Sequence, residues 1–274
     1  VDSTGQITLR PTYPEAGQRL RGAQLLPVSD GRRWGVMTVR GQNVVPFNYN
    51  GFGPFSEGYA AFSQDGQWGY VDTRGRFAIA PQFDAANPVA NGWAGVRVQG
   101  RWTFINTRGR YLVEPQYDTV GTFVNGLAPV RQNGHWGYIN PEGALAIPLR
   151  YDAATDFVDG HARVAAAGKW GIITKTGAYH TPPLYEDIRL PSENTVAVRQ
   201  MGKWGLMDNL GLPVSGGFRY ETPPVLANGL AAVRFEGKWG FINARGQWVV
   251  EPQYDLAFNF QDGLAQVRQG SKVG

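Results

Sequence analysis

The sequence predicts an all-β protein of eight repeats of about 34 residues, each with three short strands, closed into a propeller-like ring. Three observations support this fold class: a tryptophan recurs at steps of 34 or 35 residues, glycines stand at fixed distances from it, and no segment shows a sustained helical period. The repeating tryptophans are Trp34, Trp68, Trp102, Trp136, Trp170, Trp204 and Trp239. We expect residues 1–274 to form a single repeat domain, with an open β-solenoid as the alternative architecture.

Glycines predict three turns in each repeat. One stands seven residues after every repeating tryptophan, and another stands two residues before each of them except Trp34, where Arg32 replaces it. A third glycine stands ten residues before the tryptophan in most repeats. Asn194 replaces it before Trp204, and Gln24 breaks the pattern before Trp34. Glycine at fixed offsets indicates backbone positions with positive φ, as in hairpin turns. The three segments between these turns are predicted to be strands.

The strands of one repeat are called A, B and C in chain order. Strand A alternates small or branched residues, as at Ala128 and Val130, and strand B contains the repeating tryptophan. Strand C is short and apolar, as in residues 111–113 and 248–250. A proline follows it, which either ends the strand or places it at a sheet edge; the prolines are Pro81, Pro115 and Pro252.

An acidic residue after an aromatic one comes next in most repeats. These acids are Asp84, Asp118, Asp152, Glu186 and Asp255. Carboxylates in series could surround a hard cation, but one per repeat does not favour convergence on a single ion. We therefore expect them to make hydrogen bonds to backbone N–H groups of turns.

The two ends of the chain predict how a ring would close. Residues 1–5 match residues 71–75, and residues 11–13 match residues 115–117, while Val273 holds the place of a tryptophan 34 residues after Trp239. Seven full repeats plus one divided between the termini would leave no sheet edge unpaired. A fragment of a longer open solenoid is the competing interpretation. A Gly-rich insertion near residues 214–217 and an irregular segment at residues 190–194 make repeats five and six the expected place for a specialised surface.

The repeated motif resembles that of a known family. Residues 237–243 read Gly-Lys-Trp-Gly-Phe-Ile-Asn, residues 168–171 and 202–205 read Gly-Lys-Trp-Gly, and Gly-Leu-Ala-x-Val and Pro-Gln-Tyr-Asp flank the motif. The chain resembles the WG (KWG) repeat family over essentially its whole length, departing at Thr103, at Val273 and in residues 14–33. The resemblance implies a largely bacterial, β-rich repeat protein that binds or scaffolds, and it supplies no catalytic residues.

Composition excludes several classes of protein. Apolar residues at 42% and charged residues at 18% argue against a disordered chain, and no window of about 18 apolar residues could form a membrane-spanning helix. Cysteine is absent, which excludes disulfides and cysteine chemistry and is compatible with a periplasmic or secreted protein, although the compartment stays open. The net charge of +4 permits an anionic partner without requiring one.

Basic residues and two extra tryptophans are the candidate binding groups. The basic series that precedes the A–B turn is Arg97, Arg131, Arg199, Arg234 and Arg268, and a second basic residue often stands directly before the tryptophan. On a ring they would form a basic rim able to bind an anionic polymer, or a solvated rim paired with carboxylates. The repeating tryptophans are expected to pack repeats together, whereas Trp93 and Trp248 lie outside the series and are candidates for exposed binding aromatics.

The predicted function is a non-catalytic scaffold that binds another protein. The alternative is a module for a glycan or other anionic polymer, and a third hypothesis is a hydrolase with a pocket on the ring face. His135, His161 and His180 fall at three different positions of the repeat, so no metal site is expected. No nucleophile, phosphate-binding or zinc-protease motif is present, and neither an enzyme nor a cofactor is predicted.

Overall fold

The computed structural model describes residues 13–16, 25–38, 40–190, 192–208, 211–214 and 216–274. Over these residues it contains β-strands and no helix. The chain divides into two compact units: described residues up to Gly134 with Tyr138–Leu145 form the first, and His135–Gly137 with Ala146–Gly274 form the second. Residues 1–12, on which the predicted closure rests, lie outside the described residues.

The first unit contains consecutive antiparallel sheets. The first sheet, in the order β1-β2-β3-β4, comprises β1 Glu15–Ala16, β2 Leu25–Ser29, β3 Trp34–Thr38 and β4 Asn43–Tyr49. The second, β5-β6-β7-β8, comprises β5 Gly51–Ser56, β6 Tyr59–Gln64, β7 Gln67–Asp72 and β8 Phe77–Phe83. The third, β11-β10-β9, comprises β9 Ala85–Ala86, β10 Trp93–Val98 and β11 Arg101–Asn106. Next, β12 Thr119–Val120 pairs with β13 Ala128–Gln132. β14 His135–Ile139 and β15 Leu145–Tyr151 contain positions at which the two units divide.

The second unit repeats the same arrangement. One sheet comprises β16 Ala153–Ala154, β17 His161–Ala166, β18 Lys169–Thr174 and β19 Tyr179–Tyr185, in chain order. The next comprises β20 Asp187–Ile188, β21 Thr195–Gln200 and β22 Lys203–Asp208. It is followed by β23 Leu230–Phe235, β24 Lys238–Asn243 and β25 Trp248–Tyr254. The last comprises β26 Leu256–Ala257, β27 Val267–Gln269 and β28 Lys272–Val273. The prediction of an all-β chain of repeated small sheets is confirmed.

The glycine-marked turns are confirmed as positive-φ positions. Gln64 pairs with Gln67 across a two-residue turn in which Asp65 and Gly66 have φ values of 51° and 84°. Two successive positive φ values identify a type I′ hairpin turn, which matches the twist of the flanking strands. Asn194, the predicted substitute for glycine, has a φ of 61°. The fixed glycines therefore set the A–B hairpin and the turns before and after it.

The structure decides between the two alternatives for strand C and adds a fourth strand to some sheets. β8 continues through Pro81 to Phe83 at the edge of its sheet, with register shifts against β7, so proline occupies the edge here and does not end the strand. A short extra strand also follows the aromatic–acid pair and pairs with strand A of the next repeat, as β9 does with β10. The sheets therefore have three or four strands, against the predicted three.

The glycine after the repeating tryptophan is required because strand C approaches strand B closely. A Cβ atom on Gly69 would lie 2.6 Å from the carbonyl oxygen of Ile79 and 2.8 Å from the nitrogen of Pro81. Distances of 2.5–2.8 Å from the added Cβ to a backbone carbonyl oxygen recur at Gly35, Gly137, Gly171 and Gly240. Thr103 replaces this glycine in the third sheet, where strand C is reduced to isolated bridges and the Thr103 hydroxyl donates to the carbonyl of Val113 at 2.6 Å. The sheet of β20, β21 and β22 keeps Gly205 and also has only isolated bridges in place of strand C, so a Cβ atom at this position is not the sole cause of that loss.

The core of the first unit lies between consecutive sheets. One cluster combines Tyr70, Ile79 and Phe83 of the second sheet with Val96 and Ile105 of the third. Because side chains of two sheets are needed to bury this apolar surface, one repeat alone could not form a core. Trp68 packs against this cluster, as expected of the repeating tryptophans.

Candidate binding surfaces

The predicted basic series lies beside the A–B turns, directly opposite the tryptophans. Arg97 pairs with Trp102, Arg199 with Trp204 and Arg234 with Trp239 across the hairpin. Arg97 is half-buried, and the other four members of the series are exposed; these are Arg131, Arg199, Arg234 and Arg268. The sequence therefore placed these cations correctly on hairpins, and its alternative of local pairing with carboxylates holds for Arg199 and Arg234.

A carboxylate holds each of these turns. The acid after the aromatic residue accepts a hydrogen bond from the turn glycine of the next strand pair, as from Gly100 N to Asp84 Oδ2 at 2.9 Å and from Gly202 N to Glu186 Oε2 at 3.0 Å. The same bond is made by Asp118, Asp152, Glu221 and Asp255. The predicted turn bonds are confirmed, and Glu221 joins the series.

These carboxylates also pair with neighbouring cations. Arg234 Nε lies 3.4 Å from Glu221 Oε2, and Lys238 Nζ lies 2.6 Å from Asp255 Oδ1. The hydrogen bond from Lys238, followed by that from Gly270 N, lowers the pKa of Asp255. Arg199 with Glu186 and Arg101 with Asp118 form equivalent pairs. The turns therefore carry charges of both signs, which weakens the potential that a basic rim would offer to an anionic polymer.

The repeating tryptophans pack against apolar clusters. Trp204 is 5% exposed and belongs to a core cluster, and the other six are half-buried. The two tryptophans predicted to be exposed are also half-buried. The ring centre of Trp93 lies 5.9 Å from that of Phe123, and Trp248 lies 5.8 Å from Tyr220 with the guanidinium carbon of Arg219 at 5.5 Å from its ring centre. Both indoles are thus only partly exposed and contact a neighbouring ring.

An exposed apolar side chain begins strand C in several repeats. Phe77 is 53% exposed, Tyr111 42% and Leu145 45% in the first unit, and Tyr179 is 45% exposed in the second. Beside Tyr111 a cleft of about 350 Å³ is also lined by Val98, Arg101 and Glu114. The sequence placed these residues on strand C, but only the structure shows that they stay 42–53% exposed. Phe77 also stacks on Phe62, with ring centres 5.1 Å apart. We call the three residues of the first unit, Phe77, Tyr111 and Leu145, the strand C row.

A charged cluster lies between two sheets of the second unit. Arg163 Nη2 lies 3.0 Å from Asp187 Oδ1, and Arg189 Nη2 lies 3.6 Å from Asp187 Oδ2. The guanidinium carbon of Arg163 lies 4.7 Å from the ring centre of Trp170, and that of Arg189 lies 5.1 Å from the ring centre of Trp204. Burial lowers the pKa of Arg163. The sequence pointed to repeats five and six as unusual but did not identify this cluster.

Two of the three histidines come together, contrary to the expectation from their repeat positions. The ring centres of His161 and His180 lie 4.9 Å apart with an interplanar angle of 84°. Burial, followed by the charge of His161, lowers the pKa of His180. They meet because strands A and C of one sheet flank strand B, so different repeat positions become neighbours. Among the described residues, no group of three or more histidines or acids is placed to hold a metal ion.

Comparison with known proteins supports the repeat and the fold. The family model described as WG containing repeat matches residues 34–68, 68–102, 102–135, 136–170, 170–204 and 239–272. No curated protein matches the sequence. A solved structure described as the crystal structure of the eukaryotic initiation factor has a TM-score of 0.53 and 12% identity, and the match covers 96% of this chain and 83% of that one.

Two further solved structures are similar at lower TM-scores. Kluyveromyces lactis Hsv2 has a TM-score of 0.39 and 9% identity, with 81% of this chain and 87% of that one covered. Apo AztD from Citrobacter koseri has a TM-score of 0.39 and 12% identity, with 86% of each chain covered. In the described part of the chain, no helix has the length and apolar character to cross a membrane.

Proposed function

The chain belongs to the WG repeat family, and from this premise we propose that it is a non-catalytic module that binds a protein partner through the strand C row. The supporting observation is that Phe77, Tyr111 and Leu145, one per repeat, remain 42–53% exposed. Equivalent positions of successive repeats commonly form extended binding surfaces, and exposed aromatic side chains are frequent anchors of protein interfaces. Carboxylates beside the basic residues make a glycan or other anionic polymer the less favoured ligand.

The proposal is tested by capture from extracts of the native host, with washes at low and high salt. The unaltered chain and the control variant Met201→Ser should both retain the same discrete protein at high salt. Met201 is 87% exposed but lies outside the strand C row, so its replacement should not affect binding. The double variant Tyr111→Ser/Leu145→Ser should lose that protein, with an unchanged melting curve showing that it folds. Equal capture by the double variant would remove the strand C row as the site. Nucleic acid or acidic glycan released by salt would instead support the polymer alternative.

We also propose that the eight repeats close into one propeller-like ring, with one repeat divided between the chain ends. The support is sequence similarity: β28 holds the position of the start of a strand B, and residues 1–13 carry the sequence that follows strand B in other repeats. Closure would pair strands that otherwise present free edges.

Deleting residues 1–13 tests this closure. Loss of strand pairing and of the apolar contacts it brings should lower the melting temperature by at least about 5 °C, since each kcal/mol corresponds to about 2–4 °C in a chain of this size. Replacing the same residues by a Gly/Ser segment of equal length should have the same effect, because it restores length but not the strands. An unchanged melting temperature for both variants would contradict a closed ring and favour the open solenoid.

A further inference from the structure

The contact between His161 and His180 departs from the repeat at both of its members. His161 begins β17, and the other repeats have an apolar residue or threonine at its position: Leu25, Tyr59, Trp93, Leu127, Thr195, Leu230 and Leu264. His180 lies in β19, where the other repeats have Val44, Ala78, Leu112, Ala146, Val214 and Val249. The fold needs histidine at neither position, yet both histidines occur in the same sheet and touch.

One nitrogen of each ring is already engaged. His161 Nδ1 lies 3.1 Å from the carbonyl oxygen of Asp159, and His180 Nδ1 lies 3.1 Å from the hydroxyl of Thr181. A hydrogen bond at one ring nitrogen fixes the orientation of the imidazole and leaves the other nitrogen as a ligand, which is the usual arrangement of metal-binding histidines. In both rings the nitrogen that remains for a metal is Nε2.

The ring separation fits a shared metal ion. With metal–nitrogen bonds of about 2.1 Å and about 1.1 Å from nitrogen to ring centre, two imidazoles on one ion have centres roughly 4.5–5.2 Å apart for angles of roughly 90–110°. The observed separation of 4.9 Å lies within this range. Both rings are half-buried rather than enclosed, so water can occupy the remaining coordination positions.

We propose that His161 and His180 form a binding site for one late divalent transition metal ion, such as Zn²⁺ or Cu²⁺, through their Nε2 atoms. Imidazole suits these metals, and copper should bind more tightly than zinc. The site adds a metal-dependent feature to the second unit.

Calorimetric titration of the untagged full chain with Zn²⁺, and separately with Cu²⁺, tests the site. The chain has three histidines and no cysteine, so ligands can be assigned cleanly. His161→Leu and His180→Val copy residues of other repeats and should fold; each should weaken binding of one equivalent of metal by about tenfold or more. The matched control His135→Gln, at an exposed position of β14, should bind as the unaltered chain does.

A second measurement uses the unaltered chain. Bound Zn²⁺ should protect His161 and His180, but not His135, from histidine-directed acylation read out by mass spectrometry. Absence of binding to the unaltered chain would overturn the proposal, as would binding that persists in both variants or is lost with His135→Gln. In any of these cases the two rings form only an edge-to-face contact.

Discussion

Gly69→Ala is expected to lower the free energy of unfolding by about 2–3 kcal/mol, the upper part of the range for overpacked sites. The added Cβ would lie 2.6 Å from the carbonyl oxygen of Ile79 and 2.8 Å from the nitrogen of Pro81, and both neighbours are backbone atoms that no rotamer change can move. Relief requires β8 to withdraw from β7. Denaturant unfolding of the variant and the unaltered chain measures the difference.

Gly53→Ala is the matched control, because it places the same methyl group in the same sheet. Its Cβ would meet the carbonyl oxygen of Ala61 at 3.4 Å, which is ordinary contact, and the position does not have positive φ. We expect a change within about 1 kcal/mol, with a slight gain from reduced entropy of the unfolded chain. Equal losses at Gly53 and Gly69 would show that the close approach of strand C is not the cause.

Hydrogen exchange gives the local readout of the same prediction. If the methyl group displaces strand C, amides of Phe77–Phe83 should lose protection in Gly69→Ala while the β6–β7 hairpin keeps it. Uniform loss of protection over the whole chain would instead indicate global destabilisation.

The repeat itself, its turns and its strands could be predicted because their causes are local. Gly66, two residues before Trp68, could be identified from the sequence as a positive-φ turn position, and its φ in the structure is 84°. The course of strand C could not be predicted, since whether a chain continues past Pro81 depends on its position at the sheet edge. The short strand after Phe83 was missed because two residues carry no periodicity.

The unusual side-chain clusters escaped sequence analysis for a different reason. Aligning repeats compares equivalent positions, whereas contacts in the folded chain join positions that are not equivalent. His161 and His180 differ by 19 positions within the repeat and meet across one sheet. Arg163 meets Asp187 of the next sheet. Each of these four residues differs from the residues at the equivalent position of most other repeats. Their proximity, however, depends on strand register and on the packing of sheets.

Asp187→Ala is expected to lower the free energy of unfolding by about 1–3 kcal/mol, between the values for exposed and for buried ion pairs. The Arg163 side chain is 22% exposed and that of Asp187 27%, so the pair is only partly screened by solvent. Without the carboxylate, Arg163 and Arg189 would face each other with no counter-charge between them. Denaturant unfolding at low and moderate salt measures the loss, which salt should reduce in part.

Arg163→Ala/Asp187→Ala should recover most of that loss. Other repeats have Ala61, Ala197 or Ala232 in place of Arg163, and Ala85 or Ala153 in place of Asp187, so the double variant restores what the repeat carries elsewhere. Lys238→Ala, at a pair whose lysine side chain is 51% exposed, is the matched control and should change stability by less than about 1 kcal/mol. If Asp187→Ala costs no more than Lys238→Ala, the cluster does not hold its two sheets together. A large loss with recovery in the double variant would show that repeats five and six have replaced neutral contacts between sheets with a charged one.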